Sequence, residues 1–263
     1  SEMCIRDRAI RINNTLILSS GSHGKYLGRI DLKVSDGKVV DANSTLIPIF
    51  SDVIAPDLEI TNLIDELRAP YEKECLRVIG QAGALLYRRG NFDGSWDNVI
   101  CDAIREQKDV EIALSPGFRW GTTLLPAQPI TIDDIYTQTS MNYPAVYRTH
   151  MTGEQLKNML EDVCDNLFNA NPYYQQGGDM VRVGGVSYVC APKELIGKRI
   201  QNMVISKTGE PLEPSKKYTV GGWGSVNPKT TGPPIYDVLE DYITRKKIVR
   251  PSGTDYVKVT GVS

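Results

Sequence analysis

The sequence predicts an α+β fold, and two observations carry that expectation. Helical and strand-like segments are mixed along the 263 residues without the repeated strand–helix–strand rhythm of a doubly wound sheet. Both periodicities are nonetheless clear. Residues 152–168 place Leu156, Met159, Leu160, Val163 and Leu167 on one helical face, whereas 110–114 ("VEIAL") is a short apolar run of strand length.

In chain order, "TLILS" reads as a strand. "LGRIDLKV" alternates apolar and polar residues and meets "KVVD" across Asp36-Gly37, a strong hairpin signal. Residues 42–60 read as a connection. A helical pattern begins at Asp57 with Leu63, Ile64 and Leu67, is interrupted by Pro70, and resumes from Glu74 to Ile79. Residues 83–96 follow as a strand and a polar loop. Ser95 is placed to cap the helix 96–107, with Asp97 near its positive end. Thr131 caps a second helix, and 143–151 is a strand. Thr152 and Gln155 form a capping box for the helix to 168. "MVRVGGVSYVC" is a strand, and "MVISKTGEPL" to "KKYTVGGW" reads as a hairpin turning at Thr208-Gly209. The helix of 233–245 starts behind prolines, and "DYVKVTG" is a last strand.

The expected organisation is a tail at 1–10, a β unit at 11–56, an interdomain helix at 57–79 and a larger domain at 80–263. The tail "SEMCIRDR" has no apolar core of a leader peptide and reads as an artefact expected to be disordered. The β unit is too small to bury its own apolar face.

Composition excludes several classes. The net charge of −2 gives no basic field for nucleic acid, and no apolar stretch approaches a membrane span. The five cysteines, at 4, 75, 101, 164 and 190, show no C-x-x-C spacing. The only histidines are His23 and His150, too few for a dinuclear hydrolytic centre built by this chain alone. "GSHGKYLG" does not match a phosphate loop, and neither Ser22 nor Ser115 has a triad around it.

Four places are candidates for chemistry. In "ALSPGFRWGTTLLP", Arg119 follows a strand in a loop of glycine, proline and threonine, where a guanidinium fork suits an oxyanion; Trp120 stands beside it. Arg88-Arg89 offers a second anion contact or a solvated loop. "PYYQQGGDMVRVGG" places Tyr173, Tyr174, Gln176 and Asp179 on a loop suited either to binding or to covering the core. His23, between glycines, reads either as an imidazole titrating near neutral pH or binding metal, or as a structural or exposed residue. His150 reads as structural.

Taken together, "SSGSHGKYLGRIDLKV", "LLYRRGNFDGSWDNVICDAI", "EIALSPGFRWGTTLLPAQPIT", "MTGEQLKNMLEDVCDNLFN" and "NPYYQQGGDMVRVGG" resemble the 5'-nucleotidase family, and within it the thiosulfohydrolase branch. The resemblance runs from about residue 11 to the end. It implies a C-terminal domain of that family, preceded by a remnant β unit of a metallophosphoesterase domain and a linker helix. The phosphate-contacting arginine of the family corresponds to Arg119. The two phenylalanines that clamp a base in nucleotidases are missing: Met141-Asn142-Tyr143-Pro144 and "VRVGGVSY" stand there instead. Losing both stacking faces, each worth about 1–3 kcal/mol, argues against a nucleotide and for the thiosulfohydrolase branch.

That branch implies a cysteine-bound sulfonate on the carrier SoxYZ as substrate, two manganese ions, release of sulfate and a periplasmic location. No nucleic acid or membrane partner is implied. Arg119, Trp120, Arg88, Arg89, Tyr173, Tyr174, Gln176, Asp179 and His23 are the expected substrate contacts. The family's metal ligands and catalytic residues lie upstream of residue 11, so this chain alone is expected to bind no metal and to be inactive. The alternatives are a 5'-nucleotidase or related phosphoesterase, and a noncatalytic carrier-binding module.

Overall fold

The computed structural model describes residues 9–21, 24–88, 90–118, 121–140, 142–176, 178–253 and 256–261. The expected tail, apart from its last residues, lies outside that set. The chain divides into two compact units, one up to Pro70 and one from Tyr71.

The first unit is two antiparallel hairpins and a helix. Strands β1 (Ile10–Ile12) and β2 (Thr15–Ile17) pair across a tight turn. The long strands β3 (Tyr26–Ser35) and β4 (Lys38–Pro48) pair as far as Ser35↔Lys38. Asp36 (φ 51°) and Gly37 (φ 71°) form the turn, as the Asp-Gly signal predicts. Strand β4 continues to Pro48, so much of the expected connection is strand. Helix α1 (Leu58–Arg68) is capped by Asp57, whose Oδ1 accepts from the Ile60 N–H at 3.0 Å. None of its residues is buried.

The second unit holds the core. After the short helix α2 (Glu72–Cys75), the helical pattern expected to reach Ile79 ends and strand β5 (Val78–Ala82) begins. β7 (Pro129–Thr131) and β13 (Ile248–Val249) pair with it on either side, and this pairing overrides local helical spacing. A four-stranded sheet runs β8 (Tyr147–Thr152), β12 (Lys217–Gly222), β6 (Ile112–Ser115), β9 (Arg182–Gly184). Two helical layers cover it. One contains α3 (Ser95–Lys108) and α6 (Ile235–Lys246), which pack with Ala113 of β6. The other contains α5 (Gly153–Phe168), which shares a core with Ile112 and Leu114. Successive residues of β6 thus enter different cores, which is why "VEIAL" reads as unbroken apolar sequence. Behind α5 lies a third sheet, β11 (Ile200–Ile205), β10 (Val186–Cys190), β14 (Val257–Val259).

Helices α4 (Ile132–Gln138) and α5 start at capping boxes on Thr131 and Thr152, as their sequences predict. Three expectations are corrected. Gly94, not Ser95, is the N-cap of α3; the Ser95 hydroxyl instead accepts from the Tyr87 N–H (2.9 Å) and donates to the Leu85 carbonyl (2.6 Å). "MVRVGGVSYVC" is two strands, because Gly185 (φ 79°) breaks the ladder where an added Cβ would lie 2.1 Å from the Glu111 carbonyl oxygen. The hairpin expected over 203–223 does not form. Its turn is present, with Gly209 at φ 73°, but the returning chain pairs only at Val204↔Pro211. Prolines 211 and 214 supply no N–H to extend that ladder, and β12 inserts between β8 and β6 instead.

Candidate functional site

Strands β6 and β12 are parallel, whereas β8 and β9 run against them. The segments that follow β6 (116–118) and β12 (223–231) therefore share one edge of the sheet with the segments that precede β8 (142–146) and β9 (178–181). The N-terminus of α3 joins this edge through Arg88. Its Nε donates to Asp97 Oδ1 (2.8 Å), one Nη donates to the Gln138 carbonyl (2.5 Å) and the other to the Pro116 carbonyl (3.1 Å).

A second arginine completes the arrangement. Arg182 Nε lies 3.3 Å from Asp97 Oδ2, and an Nη lies 3.5 Å from Asp179 Oδ2. The same Nη donates to the Gly90 carbonyl (2.6 Å) and the Phe118 carbonyl (3.3 Å). Asp97 thus sits between two guanidiniums, and all three side chains are 0–1% exposed. Burial pushes the Asp97 carboxyl up from its ordinary value, while Arg88 and Arg182 pull it back. The Arg88 guanidinium also lies 5.2 Å from the centre of the Phe118 ring, which meets Trp223 edge to face at 6.2 Å. Trp223 Nε1 donates to Ser115 Oγ at 2.8 Å.

Glycines make the close approach possible. A Cβ on Gly117 would lie 2.3 Å from the Met180 carbonyl oxygen and 2.9 Å from Asp179 Cβ. The "SPGF" loop therefore rests directly on the Asp179–Met180 backbone, as only glycine allows there.

The expected contacts separate into three groups. Arg119, Trp120, Arg89 and His23 lie outside the described residues. Arg88 and Asp179 do join the convergent loops, but with corrected roles. The Arg88 side chain is fully buried with its donors used inside the protein, so it fastens loops rather than offering an anion fork. The Asp179 side chain is 5% exposed and faces Arg182 rather than solvent. The third group, Tyr173, Tyr174 and Gln176, lies on the surface of a self-bonded loop. Asn171 Oδ1 accepts from the Tyr173 N–H (3.1 Å), and the Gln176 N–H donates to the Asn166 carbonyl (3.0 Å). Tyr173 is 94% exposed and Tyr174 65%. His150 is exposed on edge strand β8.

Arg182, Phe118 and Trp223 were not singled out from sequence, and Asp97 only as an acidic residue near a helix start. Arg182 carried a signal: a cation between valines in a strand pattern has to find a buried partner.

Comparison with known proteins shows the family. The family model of the 5'-nucleotidase C-terminal domain matches residues 78–229. The chain belongs to the 5'-nucleotidase family. As a member of that family it is similar in structure to the Thermus thermophilus sulfate thiohydrolase SoxB in complex with glycerol. Identity is 32%, the TM-score 0.89, and the alignment covers 98% of this chain and 48% of that one. A 5'-nucleotidase precursor, also from Thermus thermophilus, has the same fold at 16% identity and TM-score 0.79, over 97% of this chain and 54% of that one. The chain thus spans about half the length of these 5'-nucleotidase family members. No curated protein sequence matches it.

The 5'-nucleotidase fold raises the question of a base clamp. Among the described residues, the parallel ring pair is Phe92–Phe168, inclined by 7° with centroids 5.9 Å apart. A base between two rings needs about 7 Å, two contacts of roughly 3.5 Å each. Phe92 and Phe168 stand at neither of the expected clamp positions and stack on each other.

Proposed function

We propose that this chain is the substrate-binding part of a SoxB-like thiosulfohydrolase, which hydrolyses the cysteine-bound sulfonate on the SoxYZ carrier and releases sulfate during thiosulfate oxidation in the periplasm. The observation that carries this reading is the 32% identity to SoxB across 98% of the chain, against 16% for the nucleotidase of the same fold. The sequence supports it as well, because Met141-Asn142-Tyr143-Pro144 and "VRVGGVSY" stand where nucleotidases carry their two clamp phenylalanines.

In this reading the rigid platform of Arg88, Asp97 and Arg182 fixes the loop that leads into Arg119. Arg119 then forks onto sulfonate oxygens, and Trp120, Arg89 and His23 are proposed as further substrate contacts. The exposed Tyr173 and Tyr174 rings, with Gln176, meet the carrier's arm, as large aromatics do at protein interfaces. Neither nucleic acid nor membrane enters the reaction.

The SoxB-like reading includes two manganese ions, which would polarise the sulfonate and activate water. This chain does not fit them. Its described residues hold no group of three or more His, Cys, Asp or Glu able to hold a metal, and the whole sequence has two histidines. The ligands are assigned to the other half of the SoxB-like protein, and this chain alone binds its carrier without turning it over.

Surface plasmon resonance with SoxYZ carrying a cysteine thiosulfonate tests the reading. Binding is expected, weakened about tenfold or more by the joint substitutions Tyr173→Ala and Tyr174→Ala. Tight binding of adenosine monophosphate with none of the carrier would overturn it in favour of a nucleotidase.

A further inference from the structure

Cys164 and Cys190 are 26 residues apart in sequence, yet their sulfurs lie 3.5 Å from each other in the core between α5 and the third sheet. Both are free thiols at 0% exposure. Two sets of contacts hold them in place. Leu156, Leu160 and Cys164 recur every fourth residue on the buried face of α5, so Cys164 points at the sheet. Cys190 ends the central strand β10, paired with Ile200 on one side and Val259 on the other.

Polar clamps fix the helix over that strand. Glu161 accepts the N–H groups of Gly197 (2.8 Å) and Ile200 (2.7 Å), and Arg199 pairs with Asp165 at 2.5 Å. The residues on either side of Cys164's turn are therefore tied to the segment just after Cys190. A disulfide needs the sulfurs at about 2.05 Å, so roughly 1.5 Å remains to close, within reach of side-chain rotation.

We propose that Cys164 and Cys190 form a disulfide when the chain folds in a thiol–disulfide environment. The bond staples α5 to β10 and closes a ring containing the Tyr173–Tyr174 loop. The oxidant is a small-molecule disulfide such as oxidised glutathione. One cysteine thiolate attacks it and releases one glutathione thiol; the second cysteine thiolate then attacks the mixed disulfide and releases another. Two thiols and one glutathione disulfide give one protein disulfide and two glutathiones. Because both sulfurs are fully buried in the folded protein, exchange takes place before α5 closes over the sheet.

The test is to unfold the 263-residue chain and refold it in reduced and oxidised glutathione, with a parallel sample in excess reductant. Free thiols are then alkylated in denaturant, and intact mass and peptide maps are recorded. The oxidised sample is expected to leave two cysteines unalkylated, to yield a peptide joining Cys164 to Cys190, and to melt roughly 5 °C or more above the reduced one. Cys190→Ala should abolish both the cross-link and the rise. Full alkylation at all five cysteines, or a cross-link elsewhere, would overturn the proposal, and mass mapping decides this even for a poorly folded variant.

Discussion

At the residue scale, Asp97 is the keystone of the loop edge. It lies between two guanidiniums, of which Arg182 has Asp179 as a further counter-charge, and the arginines in turn hold Gly90 and the 116–118 and 179–182 segments. Removing one member of a buried ion cluster leaves uncompensated charge, typically at a cost of about 3–5 kcal/mol. Asp97→Ala is expected to destabilise the second unit by that order, read as a fall in urea midpoint; a change under about 1 kcal/mol would show that the two arginines find other partners. Arg119 belongs to the proposed chemistry instead. In a protein carrying both halves, Arg119→Ala should lower kcat/KM about 100-fold or more at unchanged urea midpoint, and Arg119→Lys should also be impaired because a point charge does not replace a fork. Near-normal turnover would move Arg119 to a structural role. The sequence marked Arg88 as unusual but could not tell an outward fork from an inward clamp. That distinction depends on Asp97, nine residues later, and on Arg182, which only the fold brings together.

At the scale of elements, the helices with complete local signals were legible. α5 was predicted over its full length because apolar spacing and a capping box agree, and α4 because Thr131 reads as its cap; the structure adds Asp134, which caps Thr131 in return. Thr152→Ala should cost roughly 1 kcal/mol in thermal unfolding; no measurable loss would show that α5 is held by packing alone. The strands were harder to read. A turn at Thr208-Gly209 is a local signal, whereas the destination of β12 is decided by pairing with β6 and β8, distant in sequence. The same holds for the loop edge, where Gly117 lets the loop come into contact with Met180, distant in sequence. Gly117→Ala should move the Asp179–Met180 segment, lowering carrier affinity more than global stability. Equal affinity would mean that the segment yields without consequence for binding.

At the scale of the molecule, the two units differ in what they bury. Among the described residues, the buried apolar side chains run from Ile79 onward, while Leu27, Leu32, Val34, Val39, Leu63 and Leu67 of the first unit are 48–64% exposed. A hairpin and helix with so little burial should open readily. Hydrogen exchange of 26–48 should be faster than that of 153–168 in the same sample; slower exchange in the hairpin would contradict this. The substrate separates a thiosulfohydrolase from a nucleotidase of the same fold. The protein carrying both halves, loaded with manganese, is given SoxYZ cysteine thiosulfonate or adenosine monophosphate, and sulfate and phosphate release are measured. Sulfate release is expected at a kcat/KM at least about 100-fold above that for phosphate. Phosphate release matching or exceeding sulfate release would contradict it.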